Sequence, residues 1–243
     1  MIDAMRRVGH KGADLIEPGN TLASFDAALA HGVDMIELDV LPERRPSEQA
    51  DGDFGRLLLA HDYEDAGERE PLTVEEGFRH LASEPFAAIE FIVDLKLPGY
   101  ETQVVDALAA AGLRGRAMVS STYKESLVRL RTYDADLKVG WSVPRARRDY
   151  TNSKLMALPA LAVLAVMRRT LPRRAEEAIE NGLCHAVMAH WRLVTPTLVE
   201  AIQRAGGDLY VWTVDHEPRI RELRTLGVTG VITNDPRLFG ALT

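Results

Sequence analysis

The chain has 243 residues, of which 46% are hydrophobic and 27% are charged, and its formal net charge is −7. These values are ordinary for a globular protein, and the acidic balance argues against nucleic acid as the main partner, because phosphate backbones bind basic surfaces. Cys184 is the only cysteine, which excludes an intrachain disulfide and a thiolate metal cluster. The first residues contain no long apolar stretch, so we expect no signal peptide and a cytoplasmic location.

Short apolar runs alternate with helical patterns along the chain. The runs predict strands at 7–10, 35–40, 57–60, 89–95, 117–120, 138–143, 186–189, 209–214 and 230–233. The helical patterns predict helices at 22–29, 73–81, 101–111, 124–133, 153–181, 196–205 and 217–226, and a last short helix opens at Asp235-Pro236. The strand at 57–60 leads out of a polar loop at 41–56 and is extra to the alternation.

Without that extra strand, the pattern consists of about eight strand–helix units with no internal break. It therefore predicts an α/β protein with a parallel sheet closed into a (β/α)8 TIM barrel. We expect one domain over 1–243, with a polar excursion at 41–62 and a long helical segment at 153–181. A doubly wound open sheet is the rival fold, but the glycine fingerprint of a dinucleotide site is missing after the first strand.

Polar side chains lie at the carboxyl ends of the predicted strands, where barrel enzymes collect their catalytic groups. These residues are His10, Glu37, Asp39, Asp94, Lys96 and Trp212. His61 lies on the excursion after the second strand, which could fold back over the same face.

Two carboxylates occur on one predicted strand. Side chains alternate along a strand, so Glu37 and Asp39 point the same way, as do Asp94 and Lys96 on the next strand. Carboxylates among apolar residues are costly to bury unless a cation lies between them. The pattern predicts a divalent metal site, and the added imidazoles and lysine suit the cleavage of a phosphate ester.

Several segments together resemble the glycerophosphodiester phosphodiesterase family. They are His10-Lys11-Gly12, Pro18-Gly19-Asn20-Thr21, the stretch from Gly32 to Val40, His61-Asp62, Asp94-Leu95-Lys96, Val119-Ser120-Ser121, Trp212-Thr213-Val214, and the stretch from Gly230 to Pro236. The likeness runs from about residue 7 to residue 238, and the order and spacing of the segments are specific. It implies a metal-dependent (β/α)8 barrel in which His10 and His61 match the family's two histidines, and Glu37, Asp39 and Asp94 match its metal carboxylates.

Three positions depart from the family pattern. Lys11 replaces an arginine, which keeps the charge but loses the planar fork that binds phosphate at two points. Gly19 replaces a glutamate before Asn20-Thr21, and Asp94 replaces a glutamate and is one methylene shorter. With the shorter Asp94, we expect the metal to lie nearer the strand at 89–95 or to bind through water.

The resemblance and the residues predict hydrolysis of glycerophosphodiesters to glycerol phosphate and an alcohol. One Mg²⁺ or Ca²⁺ ion would be held by the three carboxylates, since all-oxygen ligands favour hard cations. His10 and His61 would act as general acid and base, because imidazole titrates near neutral pH. Lys11, Lys96 and Trp212 would contact the substrate or its phosphate. The sequence leaves open which histidine is the base and whether water or a substrate hydroxyl attacks.

Two alternative functions use the same barrel. One is a lipid-directed phosphodiesterase or lyase that forms a cyclic phosphate, and the other is a barrel that binds phosphate compounds without catalysis. The first draws on the thirteen apolar residues at 155–167, which arginines follow up to 174. That run is too short to span a bilayer, so we expect a helix packed on the barrel, or peripheral membrane contact through 155–174.

Two polar residues near these motifs have structural interpretations. Asn20 is interpreted as a helix N-cap, with a role as substrate ligand as the alternative. Asp62, next to His61, is interpreted as a structural residue that caps the following segment.

Overall fold

Nine strands and eight α-helices make up the computed structural model, which describes residues 5–47, 52–145 and 157–242. The strands are β1 (Arg6–Gly9), β2 (Met35–Pro42), β3 (Leu57–Leu59), β4 (Glu90–Leu95), β5 (Ala117–Ser121), β6 (Lys138–Val143), β7 (Ala186–His190), β8 (Asp208–Trp212) and β9 (Gly230–Thr233). The helices are α1 (Leu22–Ala30), α2 (Tyr63–Glu68), α3 (Val74–Leu81), α4 (Glu101–Ala110), α5 (Lys124–Tyr133), α6 (Ala157–Glu180), α7 (Pro196–Arg204) and α8 (Glu217–Leu226). The predicted last helix is a 3-10 segment at Pro236–Leu242.

Eight parallel strands close into a barrel. The hydrogen-bonded order is β1-β9-β8-β7-β6-β5-β4-β2, and β1 also pairs with β2, which closes the ring. β3 lies outside this ring and pairs antiparallel with the end of β2, where Val40 is opposite Leu59. The predicted (β/α)8 fold and the extra strand are both confirmed.

The barrel is filled by apolar side chains, one layer inside the strands and one between strands and helices. The inner cluster consists of Val8, Met35, Ile92, Met118, Ala186, Met188, Tyr210 and Ile232. The outer cluster is larger and joins the outward faces of the strands to the helices that follow them. Because the interior is packed, ligands have access only at the ends of the barrel.

Helix α2 was not predicted from the sequence. It contains no buried residue, so it presents no apolar stripe for a periodicity argument to find. Its N-cap is Asp62, whose carboxylate accepts from the backbone N–H groups of Glu64 and Asp65, which confirms the structural interpretation of Asp62.

Helix α6 extends over Ala157–Glu180, and the predicted start at 153–156 lies outside the described residues. None of the helices in the described ranges is both long enough and apolar enough to cross a membrane.

Candidate active site

A cavity of about 840 Å³ opens at the carboxyl ends of the barrel strands. Of the residues predicted from the sequence, those that line it are His10, Glu37, His61, Asp94, Lys96 and Trp212. Asp39 belongs to the same cluster and is fully buried. His61 reaches this cavity because β3 turns back along β2 and carries the excursion over the mouth.

The three predicted metal carboxylates converge. Glu37 and Asp39 point to one face of β2, and Asp39 lies in register with Asp94 on the neighbouring strand β4. One carboxylate oxygen from each residue lies within 4.8 Å of the others. Glu37 is 6% exposed, so water screens this negative charge poorly.

Lys96 supplies a positive charge inside the cluster. Its Nζ lies 2.5 Å from Asp39 Oδ1 and 2.8 Å from Asp94 Oδ2. Burial alone would lower the pKa of Lys96, but Asp39 and Asp94 outweigh it and raise that pKa well above its usual value. Burial alone would likewise raise the pKa of Asp39, but Lys96 above all, with His61 and His10, lowers it. Lys96 therefore carries a full charge and faces an ionised Asp39.

One ammonium does not balance three carboxylates. Burial, and then the charge of Asp39, raises the pKa of Glu37 well above its usual value. A cluster in which three carboxyl groups meet a single ammonium, with all its ligand atoms oxygen, fits a hard divalent cation.

Asn20 contacts the acidic cluster, a position that the sequence did not predict. The N-cap of α1 is Thr21, whose side chain accepts from the backbone N–H of Ser24, so the N-cap interpretation of Asn20 is wrong. Asn20 is fully buried, its Nδ2 donates to Asp39 Oδ2 at 3.1 Å, and its Oδ1 accepts from the Asp39 backbone N–H at 3.0 Å. Its φ of +57° turns the side chain into the barrel, a conformation that asparagine tolerates better than most residues.

Two serines hold Asp94. Ser120 Oγ donates to Asp94 Oδ1 at 2.6 Å and Ser142 Oγ donates to the same atom at 3.2 Å. The serines lie on β5 and β6, the next two strands of the barrel. They fix the short Asp94 carboxylate where it meets Lys96, a role that single-strand patterns could not indicate.

His10 is held by a chain of hydrogen bonds from the end of β9. Its Nδ1 lies 2.5 Å from Asn234 Oδ1, and Asn234 Nδ2 donates to Asp215 Oδ2 at 2.6 Å. Because the Asp215 carboxylate can only accept, the amide oxygen of Asn234 must face His10. The Nδ1 atom of His10 therefore carries the proton, and Nε2, 3.8 Å from Glu37 Oε2, keeps its lone pair. Burial, the largest influence, lowers the pKa of His10 below its usual value, which favours this neutral form.

His61 has a different environment. Its side chain is 53% exposed, and its Nδ1 lies 3.1 Å from Asp62 Oδ2. Its backbone N–H donates to Asp65 Oδ2 at 2.9 Å, which anchors it to the first turn of α2. The His61 ring is therefore accessible from the cavity and has a carboxylate as its neighbour.

The side chain of Lys11 binds Asp14. Its Nζ lies 2.5 Å from Asp14 Oδ2, whereas its backbone N–H donates to Glu37 Oε2 at 3.0 Å. Asp14 Oδ1 accepts from the backbone N–H of Gly19, and a Cβ at position 19 would lie 2.4 Å from that oxygen. In this chain the Asp14 carboxylate occupies the space that a side chain at position 19 would need.

Aromatic and basic side chains form the rim of the cavity. Trp212 Nε1 donates to the carbonyl oxygen of Met188 at 2.9 Å, which fixes the ring as a wall. The Arg145 guanidinium lies 4.1 Å from the centre of the Tyr123 ring, and Arg45 stacks at the same distance over Tyr63. A basic rim above a charged cluster suits a negatively charged substrate.

The sequence model of the glycerophosphoryl diester phosphodiesterase family matches residues 100–238, more than half of the chain. The chain belongs to this family. As a member it is a phosphoric diester hydrolase. The match begins after the acidic residues of β2 and β4, so the geometry of the metal cluster is an observation independent of it.

Whole-chain similarities agree with this family. A glycerophosphodiester phosphodiesterase of Caldanaerobacter subterraneus is 25% identical, over 94% of this chain and 93% of that one. The structure of a glycerophosphodiester phosphodiesterase from Parabacteroides distasonis superposes with a TM-score of 0.72 at 16% identity and covers 99% of both chains. A phosphodiesterase from Oleispira antarctica, solved with the product sn-glycerol-3-phosphate, has a TM-score of 0.67 at 18% identity and covers 98% of this chain and 96% of its own.

Proposed function

We propose that this hydrolase cleaves glycerophosphodiesters to glycerol phosphate and an alcohol, by acid–base catalysis between His10 and His61. The observation that carries the proposal is the meeting of two imidazoles, an acidic cluster and a lysine at one cavity on the catalytic face of the barrel. The names of the relatives support the substrate class, and the Oleispira antarctica enzyme was solved with glycerol phosphate as its product.

In this proposal Glu37, Asp39 and Asp94 hold one Mg²⁺ or Ca²⁺ ion, for which their all-oxygen donor set is suited. When bound, such an ion neutralises the surplus negative charge and stabilises a phosphoryl oxygen as its charge increases. The residues around the carboxylates keep them in place: Asn20 holds Asp39, and the two serine hydroxyls hold Asp94.

We assign His10 as the general base. Its Nδ1 proton is committed to Asn234, so Nε2 is free to accept a proton from the attacking hydroxyl group. The lowered pKa of His10, caused mainly by burial, keeps this nitrogen unprotonated near neutral pH. We assign His61 as the general acid, because its ring is accessible at the cavity and the contact of its Nδ1 with Asp62 orients Nε2 to pass a proton to the leaving alkoxide.

The remaining predicted ligands have distinct roles. Lys96, buried between Asp39 and Asp94, provides a fixed positive charge for the phosphoryl oxygens. Trp212 forms a wall for the glycerol or the alcohol group. Direct phosphate binding by Lys11 stays a prediction, since its ammonium binds Asp14 and only its backbone N–H reaches Glu37.

The histidine assignment is tested by the leaving group. p-Nitrophenolate leaves without protonation, so loss of the acid should matter little for a p-nitrophenyl phosphodiester and strongly for glycerophosphocholine. We expect His61→Ala to lower kcat about 10²–10⁴-fold on glycerophosphocholine, as is typical for a general acid, and far less on the activated ester. His10→Ala should lower kcat strongly on both substrates.

The control is His80→Ala, because His80 pairs with Asp26 on the outer helices and lies away from the cavity. If the activated ester restores kcat in His10→Ala rather than in His61→Ala, the acid and base roles are reversed. If both variants lose the same factor in kcat on both substrates, the assignment of one acid and one base is refuted. The proposal also requires open-chain glycerol phosphate as the product by ³¹P NMR. Accumulation of a cyclic phosphate would instead indicate the lyase alternative.

A further inference from the structure

Helix α6 extends past the rim of the active-site cavity. It connects the carboxyl end of β6 to the amino end of β7, so its first residues lie on the side of the mouth. Arg168 Nε donates to the carbonyl oxygen of Arg192, in the turn just after β7, which places residue 168 near the level of the strand ends. At 1.5 Å per residue, residues 157–167 extend roughly 16 Å beyond that level. We call these residues the α6 arm.

The burial of α6 changes along its length. Leu171, Ala175 and Ala178 are buried against the barrel, so this part of the helix is anchored. In the arm, Leu164 and Met167 still pack against the core, whereas Leu161, Val163 and Val166 are 51%, 59% and 62% exposed. At 100° per residue, Leu161 and Val163 point to nearly opposite sides of the helix, so the arm is exposed on more than one side. Such a run of exposed apolar side chains is unfavourable in water and indicates an apolar or interfacial partner.

The charge at the base of the arm indicates the chemistry of this partner. Between Ala157 and Ala175 the helix contains four arginines and no acidic residue, although the whole chain carries a net charge of −7. The arginines are Arg168, Arg169, Arg173 and Arg174. Arg168 and Arg169 directly follow Met167, the last apolar residue of the arm, and the other two lie further along the helix. Apolar side chains at the tip with cations below them are typical of segments that insert into the interface of an anionic membrane.

We propose that the α6 arm docks the mouth of the barrel on an anionic lipid surface. Leu161, Val163 and Val166 enter the region between head groups and acyl chains, and Arg169, at the base of the arm, binds a lipid phosphate. Arg168, Arg173 and Arg174 contact Arg192, Glu177 and Trp141 of the protein itself. Interfacial helices bury about 5–10 Å of their apolar part, which is less than the length of the arm. The cavity then faces the membrane, where phosphodiesters derived from lipids are produced.

Vesicle binding tests this proposal without any turnover. The full-length chain is sedimented with vesicles of phosphatidylcholine mixed with phosphatidylglycerol, and with phosphatidylcholine alone. We expect the parent to bind the mixed vesicles. The double variant Val163→Asp/Val166→Asp should bind at least about tenfold more weakly, because the two side chains that enter the membrane would become charged. The matched control is Val128→Asp, since Val128 is 53% exposed on α5. This control should bind like the parent.

The charge requirement is tested separately. Arg169→Glu should bind the mixed vesicles more weakly than the parent, and the difference should shrink with added salt, which screens exposed charges. Arg79→Glu is the control, since Arg79 is exposed in the last turn of α3 and has no ion pair with α6 in the described residues. Thermal unfolding and hydrolysis of a soluble glycerophosphodiester should be unchanged in the arm variants, which establishes that they are folded.

Three results would overturn the proposal: no binding to the mixed vesicles at low salt, equal binding to both vesicle types, or full binding by the double aspartate variant. Self-association in sedimentation velocity that the double variant abolishes, without vesicle binding, would assign the arm to contact with a second copy. Because no step uses substrate, a failure of the proposed hydrolysis would leave the docking result intact.

Discussion

The two histidines of the site are the same residue type in opposite surroundings. The His10 side chain is 19% exposed and donates to an amide oxygen, whereas the His61 side chain is 53% exposed and lies beside a carboxylate. Imidazole can serve as acid or base, so the choice comes from the neighbours. Asn234 and Asp62 are therefore as informative about the mechanism as the histidines they contact.

The Asn234–Asp215 pair should act as a positioning device for His10. Asn234→Ala removes the acceptor of the Nδ1 proton, so the neutral ring would populate both tautomers. We expect kcat to fall about 10–100-fold, less than on loss of the base itself. Asp215→Asn should lower kcat by a smaller factor, because the Asn234 side chain could then flip and present its Nδ2 group to His10. Nitrogen NMR of the His10 ring measures the tautomer directly.

Asp235→Asn is the matched control for these variants. Asp235 is adjacent in sequence and pairs with Arg237, outside the site. Its variant should keep both the rate and the Nδ1-protonated tautomer. An unchanged His10 tautomer in Asn234→Ala would contradict the positioning role, even if the rate fell.

At the level of elements, Tyr100 ties the ends of two site strands together. Its buried hydroxyl donates to the Val40 carbonyl on β2 at 2.6 Å and accepts from the backbone N–H groups of Lys96 and Leu97 after β4, at 3.0 and 3.3 Å. Burial raises the pKa of Tyr100 well above its usual value, so this donor stays protonated. The contact fixes Lys96 relative to Asp39.

Tyr100→Phe should therefore reduce both stability and activity. It leaves one carbonyl and two N–H groups with fewer partners, which typically costs about 1–3 kcal/mol in the free energy of unfolding. A shifted Lys96 should also lower kcat. Chemical denaturation and steady-state kinetics measure the two effects. Tyr133→Phe, which removes an exposed hydroxyl bonded to Asp106, should change neither, and an unaltered kcat in Tyr100→Phe would refute the link to Lys96.

The contact between Asp34 and Arg7 joins the segment before β2 to β1 and should make stability depend on pH. Asp34 accepts from the backbone N–H of Arg7 at 2.8 Å and from its guanidinium at 3.0 and 2.8 Å. Burial alone would raise the pKa of Asp34, but these Arg7 contacts outweigh it and lower the pKa below 3.8. A carboxyl group with a lowered folded-state pKa stabilises the fold above its unfolded pKa and loses this effect as the pH falls through the folded value.

Asp34→Asn should accordingly lower the Tm at pH 7. The Tm difference between parent and variant should narrow as the pH falls below about 4, because Asp34 takes up a proton first in the unfolded chain and, at lower pH, in the folded chain. Thermal unfolding followed by circular dichroism across this range measures the gap. A gap that stays constant down to the lowest pH at which the fold survives would mean that the charge of Asp34 contributes nothing.

For the whole molecule, the acidic cluster predicts that metal binding and folding are coupled. A cation that binds only the folded chain stabilises it by about 2.7 kcal/mol at a hundred times its Kd. The Tm should therefore rise with Mg²⁺ or Ca²⁺ and fall again on chelation, together with the hydrolytic activity. Asp39→Asn should remove most of this rise, because it deletes charge from the centre of the cluster.

Sodium chloride at matched ionic strength controls for the general screening of charges by salt. Glu43→Gln controls for the loss of a carboxylate outside the cluster, since Glu43 pairs with Arg56 on the surface. Full activity in excess chelator, together with a Tm that does not respond to either cation, would refute the metal site.

Sequence alone determined the order of the strands and helices, the barrel that they form, and the strand ends that carry the candidate site residues. These features depend on local periods: alternation along a strand puts Glu37 and Asp39 on one face, and an apolar stripe marks each packed helix. Helix α2 escaped prediction for the same reason, because it buries no side chain and so leaves no periodic signal.

Only the tertiary structure decided which side chains support the site. His10 meets Asn234, which is 224 residues away along the chain, and Asp94 meets hydroxyls on two later strands. Asn20 was interpreted as a helix cap, but its positive φ angle directs the side chain to Asp39. Such contacts depend on the closure of the barrel, which brings the ends of separate strands together at distances that no local pattern encodes. The proposed division of roles between His10 and His61 rests on those contacts.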